Sequence, residues 1–140
     1  MIRAVRRLTL SACLVALALV AVPAVASSGS NRVVGECTKS QTRPTEIVLA
    51  CADGNAYVNH IHWTAFGGAT ARGTGTYVFN TCTPNCAAGT FKHDSVRFTA
   101  TDARACFDMH DDYRVLALTF VGHSPFPTRE KSFQLFCPVG

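Results

Sequence analysis

The chain reads as an all-β protein: a small antiparallel β-sandwich or barrel-like domain of about six or seven strands, stapled by disulfides. Three observations predict this. Beyond Pro44, apolar residues recur at every second position, the period of a strand. Gly, Asn, Asp and Pro clusters punctuate those runs at short intervals, and no helical periodicity of convincing length interrupts them. Cysteines are frequent for a chain of this length, with seven in 140 residues.

The N-terminus gives those cysteines a chemical setting. Arg3, Arg6 and Arg7 precede an apolar run from Leu8 to about Val22, and Ala24-Val25-Ala26 supplies small residues ahead of Ser27. This order predicts a secretory signal peptide over residues 1–26, cleaved after Ala26, and a secreted, extracellular protein. Leu10-Ser11-Ala12-Cys13 has a lipobox look, but too few apolar residues precede Cys13 for the cut to fall there. Arg6-Arg7 leaves both Sec and Tat export open. No later stretch reaches the roughly 18 apolar residues of a membrane span. Cleavage leaves 114 of the 140 residues, enough for one domain, and six cysteines.

Residues 27–43 are polar and read as a flexible leader, with Cys37 tying it down. The single β domain then covers residues 44–140. Ile47, Leu49 and Cys51 share one face of a first strand. Asp53-Gly54-Asn55 is turn chemistry. A second strand covers residues 56–66, where Tyr57, Asn59, Ile61 and Trp63 alternate with Val58, His60, His62 and Thr64; Gly67-Gly68 ends it. Residues 69–80 form a third, whose glycines mark a bulge or a close backbone approach. A loop follows over residues 81–89. In the strand of residues 91–101, Phe91 is out of phase with Val96, Phe98 and Ala100, which predicts a bulge near His93-Asp94. Residues 102–112 are polar, and Asp108, His110, Asp111 and Asp112 read as a solvated turn without the ligand spacing of a calcium loop. Leu116, Leu118 and Phe120 mark the clearest strand, over residues 113–122. Phe133, Leu135 and Cys137 close the chain.

Charge excludes one class of partner. Without Arg3, Arg6 and Arg7, ten Lys and Arg face nine Asp and Glu, and no basic run remains in the sequence. A nucleic-acid binder carries a basic stripe or patch, so no nucleic-acid partner is expected.

In an oxidising compartment Cys37, Cys51, Cys82, Cys86, Cys106 and Cys137 are expected as disulfides, and sequence alone does not choose their pairing. Cys37 with Cys137 is the provisional pairing, since both lie outside the central strands; closing about 100 residues is worth up to about 4.7 kcal/mol in the chain-entropy treatment. A zinc site of Cys82, Cys86 and His93 is the alternative use.

Two places invite a ligand. His60 and His62 lie two apart on a strand, so both imidazoles can reach one side; two ligands do not make a selective metal site, and no metal or cofactor is expected. Thr83-Pro84-Asn85 lies between Cys82 and Cys86 as a short braced loop suited to recognition. No Gly-x-Ser-x-Gly elbow occurs. Ser95 and Ser124 have His93 and His123 near them in sequence, which does not make a triad, and no catalytic residue is assigned. Trp63, Phe66, Tyr77, Phe79, Phe98 and Phe120 read as core.

Leu49-Ala50-Cys51-Ala52-Asp53, Ile61-His62-Trp63, Phe66-Gly67, Ala71-Arg72-Gly73-Thr74-Gly75-Thr76 and Asn80-Thr81-Cys82-Thr83-Pro84-Asn85-Cys86-Ala87-Ala88-Gly89-Thr90-Phe91 together make a pattern over about a third of the chain. In it the chain resembles a group of small secreted actinobacterial proteins to which no named activity is attached. It departs from them at Asp94-Ser95-Val96, where the group tends to carry Tyr-Pro-Val. The resemblance implies a secreted single domain and supplies neither substrate nor catalytic residue.

The expected function is a non-enzymatic extracellular binding domain whose partner is a protein or a cell-envelope component. The alternatives are an inhibitor of an extracellular hydrolase, acting through the Cys82–Cys86 loop, and a small metal-binding protein or enzyme around His60 and His62. Oligomeric state is left open.

Overall fold

A computed structural model describes residues 32–35, 37–107 and 110–137. The expected signal peptide and Asp108 lie outside the described residues.

Among the described residues, eight strands form one sheet: β1 (Arg32–Gly35), β2 (Ser40–Gln41), β3 (Ile47–Val48), β4 (Ala56–Ala65), β5 (Ala71–Asn80), β6 (Phe91–Ala105), β7 (Asp111–Phe120) and β8 (Glu130–Gln134). Six of them, β3 to β8, pair in sequence order as an antiparallel meander. They curl into a half-barrel, and no helix occurs among the described residues. Of the two architectures the sequence left open, this is the barrel-like one. A flat sheet of this size would leave an apolar face in water; curling turns that face onto itself.

Alternation decides which face is inward. Ala71, Gly73 and Tyr77 on β5 pair with Ala100, Phe98 and Asp94 on β6, and Ala100, Phe98 and Val96 pair in turn with Leu116, Leu118 and Phe120 on β7. The apolar members of these rows are buried and join Val58, Ile61 and Leu135 in one core. Trp63, Phe66 and Phe79 pack against it, so the expected aromatic core is found. Trp63 stands edge-on to Phe66 and Phe98, with centroids at 4.8 and 5.1 Å, and its indole N–H donates to the Pro44 carbonyl at 2.9 Å. A partly buried indole thus has its polar handle satisfied.

The β5 glycines permit close approach. A Cβ on Gly73 would meet the His62 carbonyl and the Phe98 ring, both at 2.6 Å, and one on Gly75 would meet Val58 at 2.9 Å. The associated irregularity lies on the neighbouring strand, where Asn59 and His62 face Thr76 and Thr74 and leave an extra residue on β4. His60 takes the left-handed conformation there (φ 49°). The bulge expected near His93-Asp94 is absent: β5 and β6 pair without a slip from Asn80↔Phe91 to Ala71↔Ala100. Phe91 needs no bulge because it points outward, 44% exposed, with the Tyr57 ring 6.4 Å away.

Three further expectations are corrected. The stretch read as a flexible leader contributes β1, which runs parallel to the start of β7, and β2, which pairs with β1. Asp112, read as part of a solvated turn, is fully buried and accepts a hydrogen bond from Ser40 Oγ on β2. The disulfides are Cys37–Cys51, Cys82–Cys86 and Cys106–Cys137, so Cys37 does not pair with Cys137. The reason is topological. β6 and β8 flank β7, which brings the residues after each of them together beside Arg114, whose guanidinium contacts both Cys106 and Cys137 sulfurs.

Candidate functional site

The 81–90 loop leaves β5 at Asn80, and that side chain organises it. Asn80 Nδ2 donates to the Cys86 carbonyl at 2.8 Å and to Asn55 Oδ1 at 3.0 Å, while its Oδ1 accepts the Cys82 amide at 2.9 Å. The Thr81 amide donates to the Thr90 carbonyl at 3.0 Å, and the Thr90 amide to Thr81 Oγ1 at 3.1 Å. Gly89 is needed beside this network, because a Cβ there would lie 1.9 Å from Asn80 Oδ1. The Cys82–Cys86 bridge closes the ring, with Cα atoms 3.7 Å apart.

The predicted recognition trio sits at this exposed apex, but two of its members also face inward chemically. Thr83 Oγ1 donates to the Thr81 carbonyl at 3.2 Å, and Asn85 Oδ1 accepts the Ala88 amide at 2.9 Å. Pro84 has no such duty and offers its ring to solvent. Phe91, directly after the loop, adds an exposed aromatic surface. Nothing in its alternation with Val96 and Phe98 marked Phe91 as part of a site; its wrong phase was the available signal.

The Asp53-Gly54-Asn55 turn buttresses the same end. Asp53 accepts from the Asn55 side chain at 2.6 Å and from its amide at 3.1 Å, which holds the Asp53 carboxyl below its ordinary value, the side-chain bond contributing most. Gly54 supplies the positive φ (65°) that the turn requires.

His60 and His62 are both exposed on β4. Both line one shallow groove with Thr76, Ser95 and Arg97, and a second with Thr45 and Glu46. The strand-parity reason for expecting this fails at the bulge: Asn59 and His62 hold register on the outer face, and His60 is the inserted residue. His60 Nδ1 lies 3.0 Å from Asn59 Oδ1. Among the described residues no three His, Cys, Asp or Glu side chains gather to hold a metal ion. The alternative zinc set is ruled out by the bridge that joins Cys82 to Cys86.

A cleft of ≈ 550 Å³ opens between the start of β6 and the β7–β8 loop, lined by His93, Asp94, His123 and Ser124. Asp94 Oδ1 lies 3.2 Å from His123 Nδ1. Ser124 is not an activated nucleophile: its hydroxyl donates to the Thr128 carbonyl at 2.7 Å and accepts the Phe126 amide at 3.2 Å, a local turn. Burial, and secondarily the Asp94 charge, push the Tyr77 phenol above its ordinary value.

The fold also assembles a basic pair that is invisible in the sequence. Arg72 faces Thr99 and Arg97 faces Thr74 across β5 and β6, so the two arginines are diagonal neighbours on the outer face. They share a groove of ≈ 410 Å³ with Thr64, Thr74, Thr99 and Thr119.

Of the described residues, none forms a helix long and apolar enough to cross a membrane. Comparison of the chain with protein-family models, with curated proteins and with solved structures finds no match.

Proposed function

We propose that the chain is exported by residues 1–26, cut after Ala26, and acts outside the cell as a non-enzymatic domain that binds an extracellular protein through the Cys82–Cys86 end of the sheet. One observation carries the reading. The apex is exposed yet held by the disulfide and by three hydrogen bonds of Asn80, with Phe91 beside it. A loop already fixed in one conformation loses little entropy on binding, and aromatic side chains supply much of the energy at interfaces. Three disulfides among six cysteines are compatible with an oxidising compartment. Ser124, which lines the cleft with the His123–Asp94 pair, is committed to a turn, which speaks against a serine hydrolase there.

The test is affinity capture from the native secretome and envelope fraction, using protein that starts at Ser27 with its disulfides intact. A stoichiometric protein partner that the T83A/P84A/N85A variant no longer retains is the expected result. A partner held equally well by that variant overturns the assignment to the loop. If the partner is an extracellular hydrolase whose activity falls on binding, the function narrows to inhibition.

A further inference from the structure

We propose that the outer face of β4, β5 and β6 carries a second binding site, built for the phosphates of an anionic polyol polymer such as a poly(glycerol phosphate) chain of the cell envelope. The site begins with two exposed arginines, Arg72 and Arg97, set on adjacent strands one diagonal apart, a spacing within the reach of long side chains. Among the described residues the salt bridges are Arg104–Asp102 and His123–Asp94; neither Arg72 nor Arg97 is neutralised by a carboxylate. Their groove is otherwise lined by Gly73, Phe98 and the threonines Thr64, Thr74, Thr99 and Thr119, and by no acid. It continues past Arg97 into the adjoining groove of His60, His62, Thr76 and Ser95, again without an acid.

The shape and chemistry select the ligand. Guanidinium forks match phosphate oxygens and bind them with charge-assisted hydrogen bonds. The Thr74, Thr99 and Thr119 hydroxyls can donate and accept, which suits the free hydroxyls of a polyol, while the Thr64 hydroxyl donates to the Arg72 carbonyl at 3.1 Å and is left to accept. The two grooves adjoin along the sheet through Arg97 and Thr74, which line both, and so fit an extended chain rather than a compact metabolite. Single-stranded nucleic acid fits less well, because its binders stack bases on exposed aromatic rings. The Phe98 ring, the one Phe, Tyr or Trp lining these grooves, is buried at 3% exposure. This site is separate from the Cys82–Cys86 loop and does not depend on that assignment.

The experiment is titration of the disulfide-intact protein with synthetic poly(glycerol phosphate) at several salt concentrations, read by calorimetry. Saturable binding is expected, weakening as salt rises. R72Q and R97Q should each lower affinity about tenfold, the scale of losing one charge-assisted phosphate contact. The double variant should also make the logarithmic salt slope shallower by about 1.4 to 1.8, the value for two phosphate contacts. K39Q/K92Q removes the same charge away from these grooves and should leave affinity within about twofold, the small effect expected of screened, distant charges. Equal loss in K39Q/K92Q, or no saturable binding, overturns the proposal. So does an oligodeoxynucleotide of matched charge that binds as tightly, since it would make the face a nucleic-acid track.

Discussion

Removing the Cys82–Cys86 bridge should cost little stability, and how little can be worked from the chain. In the loop-entropy treatment, a bridge stabilises by about 2.1 cal/mol/K plus 1.5R times the logarithm of the loop length. For the sequence separation of 4, this gives about 1.9 kcal/mol at 25 °C. For Cys106–Cys137, with a separation of 31, it gives about 3.7 kcal/mol. With a urea slope of about 1.5 kcal/mol/M, C82S/C86S should lower the midpoint by about 1.3 M and C106S/C137S by about 2.5 M. Trp63 is the only tryptophan and packs on Phe66 and Phe98, so its fluorescence reports loss of the core directly. The same C82S/C86S protein should lose affinity for a captured partner while remaining folded. Equal midpoints for the two double variants would mean that the small ring supports the fold rather than ordering a surface.

Other substitutions separate the parts of the account. G73A should destabilise by about 1–3 kcal/mol through overpacking, since its Cβ meets backbone and ring atoms at 2.6 Å; a urea midpoint unchanged from wild type would show that β5 has slack. N80A removes three hydrogen bonds of modest net worth, about 0.5–1.5 kcal/mol each, and amide exchange over residues 82–90 should accelerate far more than over β6 and β7; uniform acceleration would contradict a local role. The Tyr77 phenol, raised by burial first and Asp94 second, retains its proton to higher pH in the folded state than in the unfolded chain. Its contribution to stability is therefore fully present below the unfolded value of about 10 and lost as pH rises through the folded value, so urea midpoints should fall above about pH 10, less steeply in Y77F.

Much of the fold is legible in the sequence because strand alternation is a local property. Leu116, Leu118 and Phe120 announce β7, and Val96, Phe98 and Ala100 announce β6, without reference to any partner. What depends on strand order is not legible. β1 is four residues that gain their place by pairing in parallel with Asp111–Tyr113 and antiparallel with β2, so the polar stretch around them reads as a leader. Asp112 reads as solvated for the same reason: only β2, through Ser40, shows it to be enclosed. The Cys106–Cys137 pairing follows from β7 lying between β6 and β8, and Arg72 meets Arg97 only through the register that sets Arg72 opposite Thr99. The loop was found because its bracing cysteines and its Pro84-Asn85 turn residues are contiguous. The internal duties of Thr83 and Asn85 were not, since the Thr81 and Ala88 backbones that engage them belong to the folded loop.

The central claim, recognition through the Cys82–Cys86 end, is tested most directly by the equilibrium affinity of the captured protein partner for three forms of this chain: wild type, T83A/P84A/N85A and R72Q/R97Q. A loss of at least about tenfold is expected for the loop variant, the scale of removing one interface hot spot, and an unchanged affinity for the arginine variant. Unchanged affinity in the loop variant, with its fold intact, would contradict that claim.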